Sequence, residues 1–362
     1  MITNWHTRLA RLAFLVGTVA TSGASLGAQV PVDPHPVFTV GTATARRGEV
    51  ARGFIAVPAG VDAALDIPVI VIHGARPGPV LALVSGAHGT EYASIIAMEK
   101  LAPRVNPKTL RGTVVIVPLV NVPSFSQKVA HLNPVDQKNM NRFYPGSMSG
   151  TQTERASYLI TKQVVEPSDH LIDLHGGDLD ENLRPYSYWT VTGNAVQDSI
   201  SRAMVLAFGL DHVIISADRP RDPNASRYLE NTASTRGKPS FTAEAGYAGT
   251  VMPADVEALV TGALNVMGYL KMIARRVVPV AHPIWIKELI NLTGDHDGIF
   301  YPAAARGAHV SKGARIGYVT DYFGATIQEF VAPAAGIVLY VRAVPSMTKG
   351  ETIASIGVVG KP

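Results

Sequence analysis

Val80-Leu81-Ala82-Leu83-Val84-Ser85-Gly86-Ala87-His88-Gly89-Thr90-Glu91 is a nearly continuous apolar run that ends in a glycine turn. A helical stretch follows from about Thr90 to Leu101. An apolar run without polar alternation suits a strand covered on both faces, because neither side meets water. Strand, turn and helix in that order form the unit of a layered α/β domain. Outward from this stretch the pattern recurs. Ile67 to Ile72, Val114 to Val117 and Val213 to Ile215 read as further buried strands, and Gln152 to Val165 as a helix. A later helix starts at Pro253, where Val256, Leu259, Val260, Ala263, Val266, Met267, Leu270 and Ile273 fall at steps of three and four. That spacing places one apolar stripe on a helix, to be packed against a sheet.

The helical pattern stops after Arg275-Arg276 and Pro279. Short strands separated by glycine are expected at Gly298 to Tyr301, Ala314 to Val319, Thr326 to Val331, Gly336 to Val341 and Thr352 to Val358. The chain has 362 residues, enough for two domains. The expected organisation is an α/β domain over residues 34–278 and a small all-β domain over 283–362.

Chemistry concentrates where strands end, since ligands of open α/β sheets gather at the carboxyl ends of strands. A helix starting at about Gly89 brings His88 and Glu91 side by side, three residues apart. An imidazole and a carboxylate so placed can bind zinc; the bland alternative is a capping histidine beside a surface glutamate. Leu171-Ile172-Asp173-Leu174-His175-Gly176-Gly177 repeats the design, and His175 completes a His, Glu, His set that leaves zinc one open position. Asp173 is placed to orient the His175 ring. Asn141 and Arg142 offer amide and guanidinium donors, and a guanidinium grips a carboxylate with two parallel hydrogen bonds. Phe241-Thr242-Ala243-Glu244-Ala245-Gly246 carries a glutamate to a strand end, where it either caps the next helix or serves as a general base.

His88-Gly89-Thr90-Glu91, Asn141-Arg142, Asp173-Leu174-His175 and Thr242-Ala243-Glu244-Ala245-Gly246 stand in an order that resembles the succinylglutamate desuccinylase and aspartoacylase family, the deacylase branch of zinc carboxypeptidase-like enzymes. The resemblance implies a mixed-sheet α/β/α domain followed by a small β domain. It implies one zinc ion per chain on His88, Glu91 and His175, a substrate carboxylate on Asn141 and Arg142, and Glu244 as catalytic base. The family also places an arginine between its first asparagine segment and the Asn-Arg pair, to polarise the scissile carbonyl. Between Asn121 and Asn139 this chain has Lys128 and His131 instead, so the oxyanion role falls to Lys128 or to another group. His73, His131, His212, His282 and His309 read as structural or exposed.

Composition closes off other classes. The absence of cysteine rules out disulfides, thiolate zinc sites and thiol nucleophiles, so any metal is held by nitrogen and oxygen. His6, Arg8 and Arg11 before the apolar run Leu12 to Ala20, with small residues up to Ala28, read as a signal peptide cut after Ala28. The expected location is periplasmic or secreted, with no membrane anchor after cleavage. Without Arg8 and Arg11, 30 basic residues face 28 acidic ones, a balance that gives nucleic acid no footprint. The Gly-x-Ser-x-Gly pattern occurs only as Gly23-Ala24-Ser25-Leu26-Gly27, inside the expected signal peptide and away from any strand-to-helix turn, and no phosphate-binding loop occurs. The expected activity is hydrolysis of an amide in a small carboxylate-bearing substrate, most plainly an N-acyl amino acid. A metallopeptidase acting on short peptides and a non-catalytic periplasmic binding protein are the alternatives, and an oligomer is left open.

Overall fold

Arg76–Ser85, the strand that leads into His88, lies in the middle of a mixed sheet of thirteen strands. The computed structural model describes residues 36–362; the signal peptide expected over residues 1–28 falls outside them. From one edge the strands run Glu49–Val57, Leu65–His73, Arg111–Val117, Arg76–Ser85, His170–His175, Ser240–Glu244, Tyr186–Thr190, His212–Ser216, Ile284–Thr293, Thr352–Val359, Gly336–Arg342 and His309–Val310. Glu181–Leu183 pairs with Gly336–Arg342 off this path. From Arg111–Val117 across to Ile284–Thr293 the pairs are parallel except for the antiparallel pair Ser240–Glu244 with Tyr186–Thr190, and the outer pairs are antiparallel.

The unbroken apolar run of the central strand has a direct cause. Leu81 and Leu83 enter one core layer with helices Tyr92–Leu101, Ala195–Phe208 and Pro253–Tyr269. Val80, Ala82 and Val84 point the other way, into a layer shared with Gln152–Ile160 and Leu229–Ser234. Successive side chains of a strand point to opposite faces, so a strand sandwiched between helices must be apolar at every position. The stripe on the Pro253–Tyr269 helix is buried as its spacing requires; Leu259, Val260, Ala263, Val266 and Met267 are fully inaccessible. Burying each large apolar side chain there contributes about 1.5–3 kcal/mol. Gly262 lets this helix approach the Phe208 ring, since a Cβ at that position would lie 2.6 Å from it.

Two local expectations change in detail. The helix after the central strand begins at Tyr92 and not at Gly89, with Glu91 as its N-cap residue. The helical stretch from Gln152 is α-helical to Ile160 and then widens to a π turn over Thr161–Val165.

Beyond Pro279 the chain rejoins the sheet it has just left. Ile284–Thr293 pairs in parallel with His212–Ser216 on one side and antiparallel with Thr352–Val359 on the other. Gly298–Pro302, Arg315–Thr320, Thr326–Val331 and Ser346–Met347 form a separate antiparallel sheet of four strands. Phe300, Ile316, Val319, Phe330 and Met347 supply its core. Gly336–Arg342 links this β region to the large sheet and carries Tyr340 and Arg342 to the rim of a cavity. Among the described residues no helix is long and apolar enough to cross a membrane.

Candidate active site

A cavity of about 710 Å³ opens at the carboxyl ends of the central strands. His88 and Glu91 reach it from the turn after Arg76–Ser85, where Glu91 N donates to His88 O at 3.3 Å. This tight turn, and not a helical face, brings the two side chains together. Gly89 makes the turn feasible, because a Cβ there would stand 2.2 Å from the backbone nitrogen of Phe125. His175 arrives from the neighbouring parallel strand His170–His175.

The three side chains share one centre. His88 Nδ1 lies 2.5 Å from Glu91 Oε1, and His175 Nδ1 lies 2.9 Å from Glu91 Oε2. One ligating atom from each of the three falls within 4.8 Å of the others. The His88 Nε2 proton is donated to Asn139 Oδ1 at 3.1 Å, which leaves the Nδ1 lone pair turned inward. Outer-side hydrogen bonds of this kind fix the tautomer and aim of a metal-ligating imidazole. His175 Nε2 stands 3.2 Å from Asn141 Nδ2 and 3.1 Å from Asp173 Oδ1. Asp173 sits off the line of a true hydrogen bond, and neither of its oxygens has another partner, yet it is almost fully buried. Two imidazoles and a carboxylate, with charged or amide groups behind them, match the donor set of a nitrogen and oxygen zinc site.

Charge at this centre is concentrated. Burial alone would raise the Glu91 pKa, but His175 and His88 outweigh it and hold the carboxyl well below its usual range. Burial disfavours charge on His175, and Asp173 with Glu91 more than reverses that, so its pKa is raised well above the ordinary value.

Glu244 ends the strand Ser240–Glu244, directly beside His175 in the parallel ladder. Neighbouring strands lie about 4.8 Å apart, so the carboxylate shares the face on which the three donors converge. Its pKa is raised well above the carboxylate value, first by burial and then, against the pull of His175, by Glu91, Glu181 and Asp173. A carboxylate made more basic in this way is suited to accepting a proton. Gly246 and Gly177 let the two strand-end loops touch; a Cβ on Gly246 would lie 2.2 Å from Gly177 N.

Asn141 and Arg142 lie in a short turn of 3-10 helix, Met140–Arg142. Asn141 accepts from Leu229 N at 3.0 Å while its amide nitrogen faces His175. Arg142 donates to Asn141 O at 2.7 Å and lies over the Tyr228 ring at 4.8 Å. Among the described residues it has no carboxylate partner, so its guanidinium faces the cavity with donors to spare.

A sequence profile of the succinylglutamate desuccinylase/aspartoacylase catalytic domain matches residues 77–270. The chain belongs to this family. It is 28% identical over 320 residues to the N-alpha-acetyl-L-2,4-diaminobutyric acid deacetylase of Halomonas elongata, covering 86% of this chain and 92% of that protein. Among solved structures it resembles the succinylglutamate desuccinylase/aspartoacylase of Rhodobacter sphaeroides, with a TM-score of 0.76, 23% identity and coverage of 86% and 96% of the two chains. It also resembles the product-bound ectoine utilization protein EutE (DoeB) of Ruegeria pomeroyi, with a TM-score of 0.78, 22% identity and coverage of 90% and 100%. At that identity the structural likenesses speak to a shared fold.

The two candidates for the oxyanion role, Lys128 and His131, take different places. Lys128 is an exposed, left-handed residue closing the helix Val122–Gln127 and does not line the cavity. His131 does, with its ring centroid 5.9 Å from that of His88. It contacts Asp180 at 2.8 Å and Asp178 at 3.2 Å. Burial opposes its protonation, but these carboxylates win and push its pKa up to about 9. The sequence reads His131 as structural or exposed, whereas the fold brings it to the cavity wall. Arg184 pairs with Asp211 away from the cavity. Tyr186 and Tyr188 line the cavity, whereas Trp189 turns into the core against Trp285. Tyr322 and Phe323 are exposed on a hairpin and do not line it. Glu181, Tyr228, Glu230, Tyr340 and Arg342 also line the cavity and had no motif to announce them.

Proposed function

We propose that this protein is a zinc-dependent amide hydrolase that deacylates an N-acyl amino acid or a closely related carboxylated compound. The observation that carries the reading is the convergence of His88 Nδ1, His175 Nδ1 and Glu91 on one centre beside Glu244. Family membership and the deacetylase named among the relatives support the amide class. His88, Glu91 and His175 would hold one divalent ion, and zinc suits their nitrogen and oxygen donors. Such an ion supplies Lewis acidity, which polarises a carbonyl and makes water more acidic.

The chain's own residues account for the remaining steps. Arg142 takes the substrate carboxylate in a paired hydrogen bond, and Asn141 fixes the turn that aims it. Held there, the scissile carbonyl meets water in one orientation, which removes much of the entropic cost of a collision. Glu244 accepts a proton as water oxygen bonds to the carbonyl carbon. It returns that proton to the departing nitrogen as the carbon–nitrogen bond breaks, giving a carboxylate and an amine. His131, held charged by Asp180 and Asp178, faces the cavity where negative charge develops on the carbonyl oxygen.

The apolar run Leu12 to Ala20 and the small residues before Ala28 support a periplasmic or secreted location. N-terminal sequencing of the mature protein checks this, and a chain retaining residues 1–28 would oppose it. Activity is tested with zinc-loaded protein on N-acyl amino acids and on short unblocked peptides. The account expects acyl release from the former; preferential release of C-terminal residues from peptides would overturn it.

A further inference from the structure

We infer that Glu230 is a specificity-determining residue that selects substrates whose amino-acid side chain ends in a cation, an ammonium or a guanidinium. This rests on the deacylase reading above and deepens it. The sheet register gives the layout. Tyr186, Glu244 and His175 stand abreast on three adjacent strands, and Tyr188, Thr242 and Asp173 form the next row. Thr190 and Ser240 are two residues further along, so this third row lies about 13 Å from the first, at about 3.3 Å per residue. Glu230, in the first turn of the helix Leu229–Ser234, lies over that row. Thr190 Oγ1 donates to its Oε2 at 2.9 Å and Ser240 Oγ to its Oε1 at 3.0 Å.

The same cavity therefore runs from the centre at Glu91, past Arg142 stacked on Tyr228, to Glu230. A substrate with its amide at the first row and its carboxylate on Arg142 directs its side chain toward Glu230. That end is walled by Thr190, Ser216 and Asn231, and by Asp218 at the exposed rim. Glu230 is only 4% exposed, and no lysine or arginine pairs with it among the described residues. Its oxygens accept hydrogen bonds from the neutral hydroxyls of Thr190, Ser240 and Ser234, none of which supplies a positive charge. A buried carboxylate held by hydroxyls alone, with no counter-charge, is costly, and burial with Asp173 nearby pushes its pKa up to about 7. A bound cation removes that cost, while an anionic side chain adds to it, so one residue both attracts and rejects.

A structural role, tying Thr190 and Ser240 to the helix, predicts a different result from the same measurement. Calorimetric binding of the free products L-lysine, L-ornithine, L-norleucine and L-glutamate to the zinc-loaded full chain needs no turnover. The account expects lysine or ornithine to bind about 10- to 100-fold more tightly than norleucine, with glutamate weakest. In Glu230→Gln that preference disappears. Equal affinity for norleucine and lysine in the unaltered protein overturns the proposal, as does a Glu230→Gln variant in which all four ligands weaken alike. Parallel acyl-release assays separate the two readings. Cationic preference without turnover sinks the deacylase assignment alone; turnover without cationic preference sinks this inference alone.

Discussion

Glu91 is buried between two imidazoles that present Nδ1 to different oxygens of its carboxylate. Three donors in that arrangement need an ion or protons among them, and the proposed metal would take that place. His88→Ala or His175→Ala is expected to lose the bound metal, read as metal per chain after gel filtration. Metal retained at full stoichiometry in either variant would remove that residue from the ligand set. On the proposed reading, Arg142 serves binding and leaves the metal untouched. Arg142→Ala is expected to raise KM by about 10- to 100-fold, the worth of a charged hydrogen-bond pair, with metal content unchanged. A drop in kcat with KM intact would contradict an anchoring role. Much of this was legible in residue order, because histidine, glutamate and asparagine-arginine pairs at strand ends are few and chemically specific. His131 and Glu230 were not legible, since each is set in place by contacts dozens of residues away.

Individual elements carry the stability that holds these groups still. Arg155, on the Gln152–Ile160 helix, is 1% exposed and pairs with Asp62 at 2.6 Å. It also donates to the carbonyls of Pro58, Gly150 and Ala63. Removing one partner of a buried ion pair strands the other, so Arg155→Ala is expected to cost about 3–5 kcal/mol in urea unfolding. A loss below 1 kcal/mol would show that water replaces the guanidinium. His170, opening the strand His170–His175, has its pKa lowered from 6.5 to about 4, chiefly by burial. The unfolded chain therefore binds more protons than the folded one between those values, and stability falls as pH drops from 6.5 to 4. The full effect is about 3 kcal/mol, and His170→Asn is expected to flatten that part of the curve. Strands were readable where they are buried on both faces, as with Val80 to Val84. The start of the first helix was not, because the turn from His88 to Glu91 depends on Gly89 packing against Phe125.

Across the whole molecule, the sheet is the device that gathers the cavity. Composition change at Pro279 marks where helices end, but hydrogen bonding does not stop there: Ile284–Thr293 lies between His212–Ser216 and Thr352–Val359. Pairing partners so far apart in sequence leave no trace in local periodicity. The C-terminal strands also bring Arg342 to Asp180, which in turn contacts His131. A chain ended at residue 282 is expected to aggregate, since it leaves the edge of His212–Ser216 unpaired with the buried Val213 and Ile214 on it. Recovery of a monodisperse, metal-binding fragment would show that the edge is dispensable.

The central claim is that His88, Glu91 and His175 hold an ion which Glu244 serves as base. The most direct measurement is metal content together with acyl release from N-acyl amino acids, in the unaltered protein and in Glu244→Gln. The account predicts one equivalent of zinc in both, with turnover lowered by about 10²- to 10⁴-fold in the variant. Full turnover in Glu244→Gln, or full turnover of the unaltered protein with no metal bound, would contradict it.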